Sequence, residues 1–220
     1  CMGSLLWQMN DVWPAASWSL IDFYNEKKAA YYSVQEAFQP VAIFADTVNS
    51  PFRLVFVCDE KEPREVKFSC KVKRFDGSLV AVLEDIIAVD NRVNKVWRPS
   101  FEESLIMDWR QMYLSLNYKV GKQKHEKIIL LLDDNKIDFP KPQFTYDLQP
   151  TKDGAELVIK SPIFIRSMYV SFPPYDVSFQ KNFIDIEPNK QVSLQINSKV
   201  DFEVLESSVR FKNINAFDLN

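Results

Sequence analysis

Glycine is scarce in this sequence, with four in 220 residues. That excludes a glycine-rich phosphate loop and leaves little material for flexible linkers. Histidine is scarcer still: His125 is the only one, so neither a histidine-based catalytic triad nor a multi-histidine metal site can be assembled. Three cysteines cannot complete a disulfide framework. Cys58 and Cys70 each fall in an apolar strand pattern and read as buried thiols, with a bridge between them as the alternative. The cysteines therefore leave the redox compartment open. A net charge of −3 supplies no basic footprint, which argues against nucleic acid as a partner. No apolar run approaches the ~20 residues of a membrane span, so no membrane partner is expected. No signal peptide opens the chain either, but it reads as though cut from something larger, and that absence decides little.

What the sequence does hold is apolar and aromatic: 46% hydrophobic residues, with five tryptophans, eight tyrosines and seventeen phenylalanines. Such a chain can build cores and is not disordered. Twelve prolines beside those aromatics favour strands. Its length exceeds one typical domain and falls short of three. Three of the tryptophans, Trp7, Trp13 and Trp18, crowd the first eighteen residues, where an apolar run ends in Gln8, Asn10 and Asp11. Flat apolar faces beside amides and a carboxylate are what a sugar-binding pocket needs, for C–H surfaces and hydroxyls respectively.

Residues 3–7 read as a short buried strand and 8–25 as an irregular loop. A helix is expected over 26–38, with Asn25 as N-cap, Tyr31, Val34 and Phe38 at helical spacing, and Pro40 as the stop. From Val41 the period becomes two. Strands are expected at 42–45 and 54–57 around the Asn49–Pro51 turn, at 66–73, at 79–83 after the Asp76-Gly77 turn, and at 86–89, 113–118 and 128–132. Pro140 and Pro142 mark a linker at 139–142. Beyond it, strands are expected at 144–148, 157–159, 168–172, 183–186, 192–196 and 209–211. The expected fold class is mainly β: two immunoglobulin-like β-sandwiches preceded by a single βα unit, with divisions at 1–39, 40–137 and 138–220.

The opening block resembles the β-mannosidases of glycoside hydrolase family two. Their last barrel strand and loop carry a pattern matched here by Gly3, Trp7, Gln8, Asn10, Asp11, Trp13, Pro14, Ser17, Trp18, Ser19, Ile21 and Asp22, followed by Lys28, Ala30, Tyr31 and Tyr32 on the helix. Ala29 stands where the family often has proline. Asn182 to Asp185 resembles a strand motif in the last immunoglobulin-like domain of these enzymes. The resemblance implies that the chain is the eighth βα unit of a (β/α)₈ barrel plus two C-terminal sandwiches. A retaining glycosidase needs two carboxylates about 5 Å apart. In the family these are glutamates on earlier barrel strands, so no catalytic residue is expected in this chain.

The implied function is that of the C-terminal part of a retaining exo-β-mannosidase, acting on terminal β-linked mannose of a mannose-containing glycan. The chain itself is expected to be non-catalytic, supplying one pocket wall and accessory domains, with no metal and no cofactor. Trp7 carries over as the residue lining the pocket of the terminal sugar, and Asn10, Asp11 and Trp13 as supporting residues. A neighbouring specificity, β-glucosaminidase or endo-β-mannosidase, stays open, as does a non-catalytic carbohydrate-binding or interaction module. Localisation is open, a secreted or periplasmic parent being compatible with the family. Because most barrel neighbours are missing, the apolar face of this segment is expected to pack on the first sandwich or under another copy of the chain.

The remaining candidates have plainer readings. Asp11 can cap a turn as well as bind a hydroxyl, and Trp18 can be a packing residue. Trp97 and Trp109 read as core or interdomain contacts. The basic run from Lys119 to Lys127 reads as a solvated hairpin. Asp133, Asp134 and Asn135 lack the spacing of a calcium loop. Ser100 and Glu103 match a capping box.

Overall fold

Alternation in one strand sets the architecture of the first half. In β3 (Arg64–Arg74) Val66, Phe68, Cys70 and Val72 point inward and are buried, while Lys67, Ser69 and Lys71 lie on the opposite face of the sheet. The computed structural model describes residues 5–47, 52–91, 94–100, 107–175 and 177–216. Within them β3 pairs antiparallel with β4 (Leu79–Val89) and β6 (Met112–Val120), and β6 with β7 (Gln123–Ile129). The facing sheet comprises β1 (Val41–Asp46), β2 (Arg53–Cys58) and β5 (Lys95–Trp97) in the order β1-β2-β5. Ile43, Leu54, Phe56, Leu114 and Leu116 join the inward residues of β3 in one core. Each such side chain withdrawn from water contributes about 1.5–3 kcal/mol.

The second half repeats the plan. Strands β11 (Ser178–Phe179), β13 (Gln191–Asn197), β9 (Gly154–Lys160) and β8 (Thr145–Thr151) form a four-stranded sheet in that order. It faces β12 (Ile184–Ile186), β10 (Ile165–Ser171) and β14 (Arg210–Lys212). Leu157, Ile159, Met168, Val170, Phe172, Leu194 and Ile196 fill the space between. Both halves are thus β-sandwiches, as the alternation predicts.

Several elements differ from expectation. The strands expected at 79–83 and 86–89 are the single strand β4, because Glu84 and Asp85 sit on an edge strand where carboxylates reach solvent; Asp85 Oδ2 accepts from Trp97 Nε1 at 3.0 Å. The strand expected at 128–132 starts instead at Gln123, so the basic run forms the β6–β7 hairpin. Gly121 turns it at φ +58°, in the left-handed region. Helix α1 (Ala29–Ala37) begins three residues late. Asp22 Oδ1 captures the amides of Tyr24 and Glu26 in a turn, and Asn25 adopts φ +66° rather than capping. Residues 5–7 form no strand, since a lone strand has no partner for its backbone groups; residues 3 and 4 lie outside the described residues. Helix α2 (Phe202–Ser208) was not expected. Its single deeply buried apolar residue, Leu205, leaves no periodic signal. The Asn49–Pro51 turn and most of the Ser100–Glu103 pattern lie outside the described residues.

A cluster of rings and a buried carboxylate are among the contacts that join the sandwiches. Phe75 and Tyr113 of the first meet Phe164 of the second at 5.1 and 4.8 Å between ring centroids, with Phe139 alongside. Beside them the Glu187 carboxylate, 5% exposed, accepts from Lys73 Nζ and Lys190 Nζ at 2.6 Å each, Ser115 Oγ at 3.0 Å and Tyr113 Oη at 3.3 Å. Cys58 and Cys70 are buried free thiols, which excludes the bridge. Burial pushes the Cys70 thiol up to about 12. Trp97 packs edge-on against Phe68, and Trp109 against Phe52, so both belong to the first sandwich.

Candidate functional site: a tryptophan-bearing loop on a buried carboxylate

The loop of residues 8–28 is irregular but tightly tied. Its backbone folds back on itself through Leu20 N to Met9 O at 3.1 Å, Ile21 N to Met9 O at 2.8 Å, Asp11 N to Ile21 O at 3.0 Å and Lys28 N to Leu20 O at 2.9 Å. At its centre lies Asp11. Its Oδ1 accepts from Ser17 Oγ at 2.5 Å, and its Oδ2 from Ser19 Oγ at 2.7 Å and Lys28 Nζ at 3.1 Å. Lys28 Nζ also donates to Ser19 Oγ at 2.7 Å and to the Ser17 carbonyl at 3.2 Å.

The hydrogen bonds from Ser17 and Ser19, with the bond and charge of Lys28, outweigh burial and lower the Asp11 carboxyl from 3.8 to about 2. A carboxylate so committed is ionised at neutral pH and holds no proton to give to a leaving group. It ties Ser17, Ser19 and Lys28 to one point of the loop. Ser17, Ser19 and Lys28 complete the lock, and residue-type reasoning assigned them no role. The available signal was a carboxylate followed by two hydroxyls at spacing two and a lysine ahead of a helix.

The loop presents aromatic rings to solvent. Trp7 is 75% exposed, Trp13 67% and Trp18 74%. Asn10, also exposed, donates from Nδ2 to the Asp11 carbonyl at 3.3 Å. The peptide between Trp7 and Gln8 is cis. Of the four residues singled out in the sequence, Trp7, Asn10 and Trp13 are thus exposed and Asp11 is buried. Trp18 is a surface residue here, not a packing one. Leu5 and Leu6 are uncovered as well, and α1 buries no residue, so the expected apolar packing of this segment on the first sandwich is not seen among the described residues. The segment meets the first sandwich through the ion pair of Glu36 with Lys127 at 2.8 Å, and the second through ring contacts of Tyr32 with Phe183.

Elsewhere the acidic candidates have structural partners. Asp133 pairs with Lys136 at 2.6 Å, and Asp134 with Arg166 at 3.2 Å. Among the described residues no cluster of histidine, cysteine, aspartate and glutamate is placed to hold a metal ion.

No family model matches the chain. Over 43 residues, 20% of the chain, it is 49% identical to β-mannosidase B of Aspergillus niger and, over the same length, 49% identical to that of Thermothelomyces thermophilus. Those stretches are 5% of the fungal proteins. The fold matches a β-D-mannosidase from Dictyoglomus thermophilum over 96% of this chain, with a TM-score of 0.76 and 21% identity. It also matches an exo-chitosanase of Amycolatopsis orientalis over 95%, with a TM-score of 0.63 and 15% identity. The chain spans about a quarter of both structures, 26% and 29% respectively. The chain is thus similar to β-mannosidases over a local stretch of 43 residues, and along almost all of its length it shares the fold of part of a β-D-mannosidase.

Proposed function

We propose that this chain works as the C-terminal part of a retaining exo-β-mannosidase that hydrolyses terminal β-linked mannose, and that it binds substrate without doing chemistry. The observation that carries the reading is the 49% identity over 43 residues to proteins named β-mannosidase B. The exposed set of Trp7, Trp13 and Asn10 supports it. An indole face covers the apolar C–H surface of a pyranose ring, while an amide offers a donor and an acceptor to its hydroxyls. Asp11 has no free role toward the sugar in this reading; it keeps the rings in place. The acid/base and nucleophilic carboxylates of a retaining mechanism are assigned to other parts of the enzyme. Residues 1–39 then act as the barrel's last unit, and 40–137 and 138–220 as the two accessory sandwiches. An uncovered apolar face of this size is unfavourable. Its proposed cover is protein, either the rest of the barrel or another copy of the chain.

The test is hydrolysis of a chromogenic β-mannoside by this chain alone and by an intact protein that carries it. Turnover is expected only from the intact protein, and turnover by the chain alone would overturn the reading. The likeness to an exo-chitosanase makes p-nitrophenyl β-glucosaminide the comparison substrate. Faster turnover of it would move the specificity while keeping the enzyme class.

A further inference from the structure

The stretch from Asn182 to Asp185 is built to present one side chain. Asn182 is buried. Its Oδ1 accepts from Val170 N at 2.9 Å and Phe183 N at 3.0 Å, and its Nδ2 donates to the Val170 carbonyl at 2.8 Å. Asp185 holds the other end, accepting from Ser167 N at 2.8 Å and Arg166 Nη1 at 2.7 Å. Between them Phe183 takes φ +53°, a conformation L-residues rarely adopt and one that persists where the surroundings over-determine it. The result is that its ring turns toward α1 instead of into the core. It stacks on Tyr169 at 4.7 Å with 27° between planes and meets Tyr32 of α1 at 6.1 Å.

The contact continues into the loop. Tyr169 Oη donates to Glu26 Oε2 at 3.4 Å. The Glu26 carbonyl receives Asp22 N at 3.0 Å, and Lys27 bridges to Ile21. The next residue is Lys28, the cation that holds Asp11. The alternative attachment to the first sandwich is the Glu36–Lys127 ion pair, with the Glu36 side chain 53% exposed; a pair so solvated anchors weakly.

We propose that Phe183, with Tyr169 and Tyr32, forms a ring stack through which the second sandwich positions the loop bearing Trp7 and Trp13, so that sugar binding depends on a residue of a domain remote from the sugar. The proposal rests on the function proposed above for its catalytic consequence. Phe183 is a positioning residue: it touches the scaffold of the loop, not the substrate.

Two measurements test it. In an intact protein carrying this chain, Phe183→Ala raises KM for p-nitrophenyl β-mannoside about tenfold with kcat within about threefold, and Phe183→Tyr, which keeps the ring, restores the parent KM. In the chain itself, Phe183→Ala accelerates hydrogen exchange at the amides of Leu20, Ile21 and Lys28 at least about tenfold, while the amides of β9 and β13 keep their rates. Unchanged exchange at those three amides overturns the proposal. Accelerated exchange throughout β9 and β13 also overturns it, by making Phe183 a residue of the core. If the intact protein hydrolyses no β-mannoside, the functional reading falls, while the exchange measurement still decides the anchor.

Discussion

Replacing Glu187 by alanine should loosen the two sandwiches from one another. Its carboxylate accepts from two lysines and two hydroxyls, three of them from the first sandwich. Lys73 is 18% exposed and Lys190 40%. Removing one member of a buried pair costs about 3–5 kcal/mol, because the other charge is stranded. The Lys190 share is discounted, since a pair so open to water is worth under ~1 kcal/mol. Lys73 then dominates, and Glu187→Ala is expected to cost about 3 kcal/mol. Glu187→Gln keeps an acceptor for Ser115 Oγ and should cost about half as much. The assay is urea unfolding followed by two signals. Trp97 and Trp109 report on the first sandwich, whereas far-UV circular dichroism reports on both. In the parent the two transitions coincide; in Glu187→Ala they separate. A cycle with Lys73→Met should give a coupling above about 1 kcal/mol. A loss below about 1 kcal/mol for Glu187→Ala, with coincident transitions, would refute the reasoning. The acid dependence has a definite sign. Burial raises the Glu187 carboxyl, but the bonds and charges of Lys190 and Lys73 win and hold it below 4.5. The staple therefore contributes fully above pH 4.5 and is lost as pH falls through the lowered value of the folded protein.

Three further outcomes follow from the geometry. With the Asp11 carboxyl lowered to about 2 from 3.8, the loop lock is complete above pH 3.8 and fails as pH drops toward 2; the Leu20 and Ile21 amide resonances, followed through an acid titration, should shift in that window and in Asp11→Asn even at neutral pH. Trp7→Ala in an intact protein carrying the chain should raise KM for a β-mannoside about tenfold without lowering the midpoint of unfolding, because an indole 75% exposed packs on little within the chain; a lowered midpoint with unchanged KM would make it a packing residue. Gly154→Ala should destabilise the second sandwich by more than about 1 kcal/mol in urea, since Gly154 has φ +145° and an added Cβ would sit 2.1 Å from the Ile196 carbonyl oxygen across the β9–β13 pairing.

Strands with one buried face were legible because their side-chain period is two. Val66, Phe68, Cys70 and Val72 announced β3, and Val192, Leu194 and Ile196 announced β13. Edges and ends were not. Glu84-Asp85 looked like a break, but β4 lies at the margin of its sheet, where two carboxylates in mid-strand cost little. Asn25 had the chemistry of an N-cap. Asp22, three residues earlier, instead gathers the amides of Tyr24 and Glu26 into a turn, and Lys28 N bonds the Leu20 carbonyl, so α1 starts only at Ala29. The short strands β5 and β11 and the helix α2 are held by their neighbours and carry too few residues for a period to emerge.

The sequence by itself determined the class of this protein. Its apolar alternation commits it to sandwiches, its single histidine and four glycines close off several chemistries, and the spelling of its first thirty residues carries the likeness to β-mannosidases. Only the tertiary structure decided which partners the polar residues of that segment bond. Asp11 reads equally well as sugar ligand or turn former until Ser17, Ser19 and Lys28 are seen around it. Glu187 has no local signature, and Phe183 has only its place in the Asn182–Asp185 motif. Their roles arise from partners 72 and 114 positions away for Glu187, and from a helix at the other end of the chain for Phe183. Such contacts are set by how whole sheets pack, a property no short window of residues contains.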